Sequence, residues 1–236
     1  MPSQQNGRSI NHVEPAIDHV ARMRAIMPLI ESEADASNQA LKLTQPVVDA
    51  FAEGGFFKLM APKELGGLEA DPDTIIDVLA DCTYADGSAG WNLVVNTSSL
   101  STCAYIDPAK AREIVSLKNG ASGGAINPWR GVANEEKGGY RVAGQYALGS
   151  ATSHATHITS GAMLHRDGQP ALNEAGIPQI RVFFLPKANV VHDDDWDVLG
   201  LSGSGSFDYV VPEQFVEEGW CWNLQNPVVR SGGTFS

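Results

Sequence analysis

Apolar positions recur at helical spacing through the first half of the chain and give way to short β-prone runs in the second. Ile17, Val20, Ala21 and Met23 to Ala25 lead into Ile26, Leu29 and Ile30, the apolar stripe of an amphipathic helix. Leu41, Val47, Val48 and Phe51 form a second set closed by Gly54-Gly55, with Pro46 in its first turn or at a kink. Phe56 to Gly67 reads as an irregular loop punctuated by Pro62 and Gly66-Gly67. Asp71-Pro72-Asp73 then opens a helix, with proline near N1 and acids at the positive helix end, and Ile75, Ile76, Val78, Leu79 and Cys82 as its apolar face. Asp86-Gly87-Ser88 breaks the chain before a helix from about Ala89 to Tyr105, and a short helix from Pro108 to Leu117 follows.

Beyond Asn119-Gly120 the runs Tyr140 to Leu148, Thr156 to Leu164, Ile180 to Leu185 and Phe207 to Val211 are strand-like. Gly-Gly, Asp-Gly, Pro and Gly-Ser-Gly turns separate them. Helices first and strands second predict an α+β chain: an all-helical N-terminal domain followed by an antiparallel β-barrel or sandwich. The expected boundaries are a disordered 1–12, a helical domain over 13–119, a β-domain over 120–220 and the start of a truncated C-terminal region over 221–236.

Charge changes the picture by exclusion. The 236 residues carry a formal net charge of −12 and contain no basic run, which argues against a nucleic-acid partner. No apolar stretch approaches the ~20 residues needed to cross a bilayer, and Met1 to Ile10 has no signal-peptide core. Cys82, Cys103 and Cys221 are an odd, widely spaced set, expected as reduced, buried thiols in a cytoplasmic protein. Trp91, Trp129, Trp196, Trp220 and Trp222 are scattered and expected mostly in core or interface positions.

Several motifs invite chemistry and fail on context. Gly120-Ala121-Ser122-Gly123-Gly124 fits the G-x-S-x-G string, but a nucleophile elbow needs a strand before it and a helix after it, and the order here is reversed. Gly203-Ser204-Gly205-Ser206 precedes a strand and opens no helix, so it is a close-packed turn instead of a phosphate cradle. His154 and His157, three apart in a β-prone stretch, would face opposite sides of a sheet and chelate no metal. Asp193-Asp194-Asp195, with Asp197, lacks the ligand spacing of a calcium loop. No metal is expected.

Four stretches, in order, resemble the acyl-CoA dehydrogenase superfamily. They are Phe51 to Gly67, ending in a P-x-E-x-G-G-like element; Ala85-Asp-Gly-Ser-Ala-Gly-Trp91; Gly138-Gly-Tyr-Arg-Val-Ala-Gly-Gln-Tyr146; and Trp196 to Ser206. The resemblance covers about residues 15 to 218 and leans to the superfamily's flavin-dependent monooxygenase branch. It implies an oxidoreductase with a flavin (FAD or FMN). Such a protein is either acyl-CoA dehydrogenase-like or a hydroxylase of aromatic or polycyclic substrates served by a flavin reductase.

By the same resemblance the flavin ring would meet Gly123, Ala125 and Ile126 on one strand and Leu148, Gly149 and Ser150 on another. Gly131 and Val132 would lie where the turn after Pro128 nears the cofactor. Small residues there would admit backbone N–H groups to the ring edge. His154 and Ser98 are the catalytic candidates, and Asn96, Ser98 and Ser99 would line the substrate side. Departures are Asn127-Pro128 for the dehydrogenases' Glu-Pro, Tyr146 for a common Trp, and Ala151 for a frequent Gly or Asn. Family members continue into a helical bundle that supplies subunit contacts in a homo-oligomer and a key acid or base. These 236 residues are therefore expected to be a fragment, a split product or a degenerate copy. The alternative reading is a catalytically inactive fragment acting as a binding or assembly module.

Overall fold

The computed structural model describes residues 17–193 and 196–232. Expectations for residues 1–12, for Asp194 and Asp195, and for the last four positions lie outside the described residues. Five α-helices come first: α1 (His19–Ala40), α2 (Gln45–Gly54), α3 (Pro72–Ala85), α4 (Gly87–Ser101) and α5 (Pro108–Ser116). Their starts are set locally. Asp71 Oδ1 accepts from Thr74 N at 3.0 Å and Asp86 Oδ1 from Ala89 N at 2.7 Å, satisfying amides that the helix itself leaves free. Pro46 lies in the first turn of α2, where its missing N–H loses no bond. The helix expected to run to Tyr105 stops at Ser101, and a 3-10 turn continues it over Thr102–Tyr105.

The strands are β1 (Ser122–Ala125), β2 (Gly131–Glu136), β3 (Gly139–Tyr146), β4 (His157–Arg166), β5 (Gln169–Pro170), β6 (Ile180–Pro186), β7 (Val191–His192), β8 (Tyr209–Glu217) and β9 (Cys221–Asn223). They form one open sheet in the order β7-β8-β3-β2-β4-β6-β9, with β1 and β5 also paired to β4. This corrects the antiparallel barrel or sandwich expected from the sequence. β1 and β2 each run parallel to β4, Ser122 opposite His157 and Val132 opposite Met163, while the other described strand pairs are antiparallel. The long connection from β3 to β4 permits this, because it carries the chain back across the sheet end before β4 begins. His154 falls in that connection and not in a strand, so the opposite-face argument applied to a segment that is not a sheet at that point.

Phe51, Phe56, Phe57, Met23 and Leu93 fill the helical core, Phe51 meeting both neighbouring rings edge-on. Tyr146 and Tyr209 stack at 4.9 Å inside the sheet's core with Ile158 and Phe183. Leu100 and Ile114 join Val182, Phe184 and Trp222 in a third cluster that ties helices to sheet. Of the five tryptophans only Trp222 is buried, and Trp91 and Trp129 are exposed. All three cysteines are free and buried. Among the described residues no helix is long and apolar enough to cross a membrane, and no cluster of metal-binding side chains occurs.

Candidate functional site

Helix α4 presents Trp91, Val95 and Ser98 on one stripe, which Thr102, its C-cap residue, continues at intervals of four, three and four. Opposite lie β1, Ile126 just after it, and β4. Val95, Ser98, Ser99, Thr102, Gly124, Ile126 and Thr159 line a cleft of about 270 Å³ between them. No charged side chain lines it. Ser99 Oγ lies 3.1 Å from Ser122 Oγ and 2.8 Å from Thr159 Oγ1, and Ser122 and Thr159 also bond to each other, so Ser99 and Thr159 at the cleft are tied to the buried Ser122 hydroxyl.

Leu148, Gly149 and Ser150, expected on a strand, lie instead in the loop after β3, and that loop meets β1. Gly124 N donates to Ser150 O at 3.0 Å in an isolated bridge, and a Cβ on Gly123 would lie 2.6 Å from Ala151 O. Gly124 holds φ at 137°, where a side chain would be strained and would collide with the Thr159 carbonyl. Ala151 sits at φ 60°, a conformation that Gly or Asn adopts more easily, which gives its departure from the superfamily pattern a physical meaning.

The other predicted positions divide. Ala125 N donates to Tyr209 Oη at 3.0 Å, and Ile126 leaves 43% of its surface exposed at the cleft. Leu148 is 64% exposed at φ 60°, and Gly149 packs on the Tyr209 ring. Gly131 and Val132 line none of this cleft. Gly131 is buried against the Tyr146 hydroxyl, and Val132 is paired with Ala143 and Met163.

Ser150 is the polar centre of the arrangement. Trp91 Nε1 donates to its Oγ at 3.0 Å, and Ser206 Oγ lies 2.7 Å away. Trp91 itself keeps 44% of its surface exposed, so its indole is both anchored and available. Sequence reasoning named Ser150 but missed Val95, Thr102, Thr159 and Ser206; the i, i+4, i+7 stripe from Trp91 was the readable signal for Val95 and Ser98.

The catalytic candidates fare differently. Ser98 lines the cleft, yet its Oγ is turned back to Val94 O at 2.6 Å, a common helix habit of serine. His154 Nε2 lies 2.6 Å from Asn96 Oδ1, and its ring stacks on Phe57 at 5.4 Å. Burial, with a second contribution from the Lys187 ammonium, pushes its pKa down to about 4, so the imidazole is neutral at pH 7. Asn96 turns away from the cleft to Ser122 O and Ala151 O. A larger apolar cavity of about 430 Å³, lined by Met60, Ile75, Ile76, Tyr105 and Val229 among others, shares none of the hydroxyl cluster or the 148–151 loop.

A partly exposed indole bonded to a buried hydroxyl, with exposed Ile126 lining a neutral cleft, would suit a flat, mostly apolar ring with one polar edge. No family model matches the sequence. An indole-3-acetate monooxygenase of Pseudomonas putida is 28% identical over 194 residues, covering 80% of this chain and 48% of that protein. The flavin-dependent monooxygenase oxygenase subunit HsaA of Rhodococcus jostii is 26% identical over 196 residues, covering 83% and 49%. The crystal structure of the HsaA monooxygenase from M. tuberculosis superposes with a TM-score of 0.80 at 25% identity, over 88% of this chain and 52% of that one. The chain thus spans about half the length of these relatives, an indole-3-acetate monooxygenase and the oxygenase subunit of a flavin-dependent monooxygenase.

Proposed function

We propose that this chain carries the flavin-facing part of an oxygenase that hydroxylates a small aromatic substrate with reduced flavin. The observation that carries the reading is the junction of Trp91, Ser150 and the Gly124 edge of β1, Gly124 also lining the neutral cleft. Sequence similarity to flavin-dependent monooxygenases supports it independently. Ile126, Leu148 and the Trp91 indole would hold the ring by apolar contact, and Ser150 would bond its polar edge. Bound flavin would supply the electrons and the site of oxygen activation. The chain's own task there is to orient the ring and keep bulk water from its face. Ser99, with Ser122 and Thr159 behind it, would meet a hydroxyl or heteroatom of the substrate, and Val95 and Thr102 would flank its ring.

The oxygenase-subunit description of the relatives favours a separate flavin reductase as partner. Hydroxylation is preferred over acyl-CoA dehydrogenation for the same reason. Nothing in the site favours the inert-module alternative.

The test is a titration of the chain with FMN and FAD, oxidised and then reduced under anaerobic conditions, followed by tryptophan fluorescence. Quenching in the wild type that Trp91→Phe largely removes is the expected result. Absence of any saturable quenching by either flavin in either redox state would sink the reading.

A further inference from the structure

Two lysines face one hollow, and no carboxylate lines it. Leu41 and Lys42 after α1, Ser153 in the connection from β3 to β4, Lys187 after β6, His192 on β7 and Phe207 before β8 surround a space of about 350 Å³. None of them lines the cleft beside α4. Lys42 and Lys187 enter no ion pair among the described residues. That is unusual in a chain with 28 acidic residues against 16 Lys and Arg. Asp193 and Asp208, the sequence neighbours of His192 and Phe207, line a separate hollow with Arg130.

Like charges that share a concave site repel, and burying one costs more unless an opposite charge is supplied. Lys187 is half-buried. Its ammonium donates to the Ser153 carbonyl, which fixes the head beside Ser153 and leaves its remaining protons for another acceptor. Burial first, and the Lys42 ammonium second, hold its pKa below the usual lysine value, as expected of a cation that lacks a counter-charge. Helix α1 ends at this hollow, and the carbonyl end of a helix draws cations. Those carbonyls are already served by the backbone, Leu41 N donating to Asn38 O at 3.3 Å and Lys42 N to Ser37 O at 3.1 Å. Neither ammonium is therefore needed as a cap.

We propose that this hollow binds a phosphate group, held between the Lys42 and Lys187 ammonium groups with the Ser153 hydroxyl donating to a further oxygen. A phosphate monoester carries about two negative charges at pH 7 and several acceptor oxygens, which match two ammonium groups and a hydroxyl. A carboxylate would neutralise only one of the lysines. The hollow is as large as a small-molecule site, for which about 300–1,000 Å³ is usual, and Leu41 and Phe207 give it an apolar wall. There is room for an organic group beside the phosphate. The site stands apart from the function proposed above, because it shares no residue with the cleft.

The test is a titration of the ¹⁵N-labelled chain with inorganic phosphate, followed by NMR at an ionic strength held constant with chloride. The amide resonances of Lys42, Ser153, Lys187 and Phe207 are expected to move together and to saturate. Lys42→Met and Lys187→Met keep the aliphatic stem and lose the charge, and each is expected to weaken binding about tenfold. Lys187→Arg should retain most of it. Lys42 is exposed, so its variant probes the site without disturbing the core. No saturable shift at these residues, or an affinity unchanged in both methionine variants, overturns the proposal.

Phenyl phosphate then identifies the source of the phosphate group. Tighter binding than inorganic phosphate assigns the hollow to a phosphorylated organic molecule lying against Phe207, and equal binding assigns it to free phosphate. Benzoate, with a single charge, is expected to bind about tenfold more weakly than phenyl phosphate. Benzoate binding as tightly as phenyl phosphate overturns the choice of phosphate.

Discussion

The imidazole Nε2 of His154 lies 2.6 Å from Asn96 Oδ1, and the same asparagine's Nδ2 lies 2.9 Å from Ser122 O. The amide is oriented by its carbonyl partners, so its oxygen accepts and His154 Nε2 carries the proton. A histidine expected as a catalytic candidate is thereby a neutral cross-brace between α4, β1 and the connection into β4.

That brace has a pH signature. His154 has a pKa near 4 when folded against an ordinary value of 6.5, so the unfolded chain binds this proton more readily. Stability is therefore full above about pH 6.5 and declines as pH falls toward 4, by roughly 2–3 kcal/mol for this one group. Urea melts across that window should show the slope, and His154→Gln should flatten it. A slope unchanged in the variant would show that His154 is not responsible.

Asn96→Ala removes the centre of the brace and leaves the Ser122 carbonyl and the His154 N–H without their partner. The expected loss is about 2–4 kcal/mol, from two buried groups left unsatisfied. Denaturant unfolding checks it, and a loss under 0.5 kcal/mol, on the order of a surface substitution, would mean water replaces the amide.

Gly124→Ala sets a side chain on a backbone at φ 137° and against the Thr159 carbonyl. A destabilisation of at least about 2 kcal/mol is expected, with β1 displaced from β4. Thermal melting and amide exchange of residues 122–125 would report it; near-normal protection there would contradict the close approach.

Val95→Trp fills the cleft from a half-buried position without disturbing a core residue. Aromatic ligand binding should fall by more than about tenfold while stability stays within about 1 kcal/mol of wild type. Calorimetric titration with a small phenol measures the first quantity and a denaturant melt the second. Undiminished phenol binding would place the substrate elsewhere.

Much of the helical half was legible because its signals are local. Asp71 before Pro72 was read as a helix start and caps α3 with its side chain, whereas Asp86, read as part of a break before a helix from about Ala89, proves to be the cap of α4. Gly123, Ala125 and Ile126 were expected, through resemblance, to share a cofactor with Leu148, Gly149 and Ser150, and Gly124 is bridged to Ser150. Thr159 and Ser206 were not legible as parts of the site. They approach Ser99 and Ser150 from 60 and 56 positions away, and no periodicity records such a separation.

What the sequence by itself determined is the order of the elements, helices and then strands, together with many of their turns, since each depends on neighbours within a few residues. Only the tertiary structure decided that β1 and β2 run parallel to β4, that Gly131 serves the Tyr146 hydroxyl, and that Trp91 and Ser206 converge on Ser150. The physical reason is that strand direction and hydroxyl pairing are settled by backbone and side-chain bonds between distant segments, which form once the core has brought those segments together.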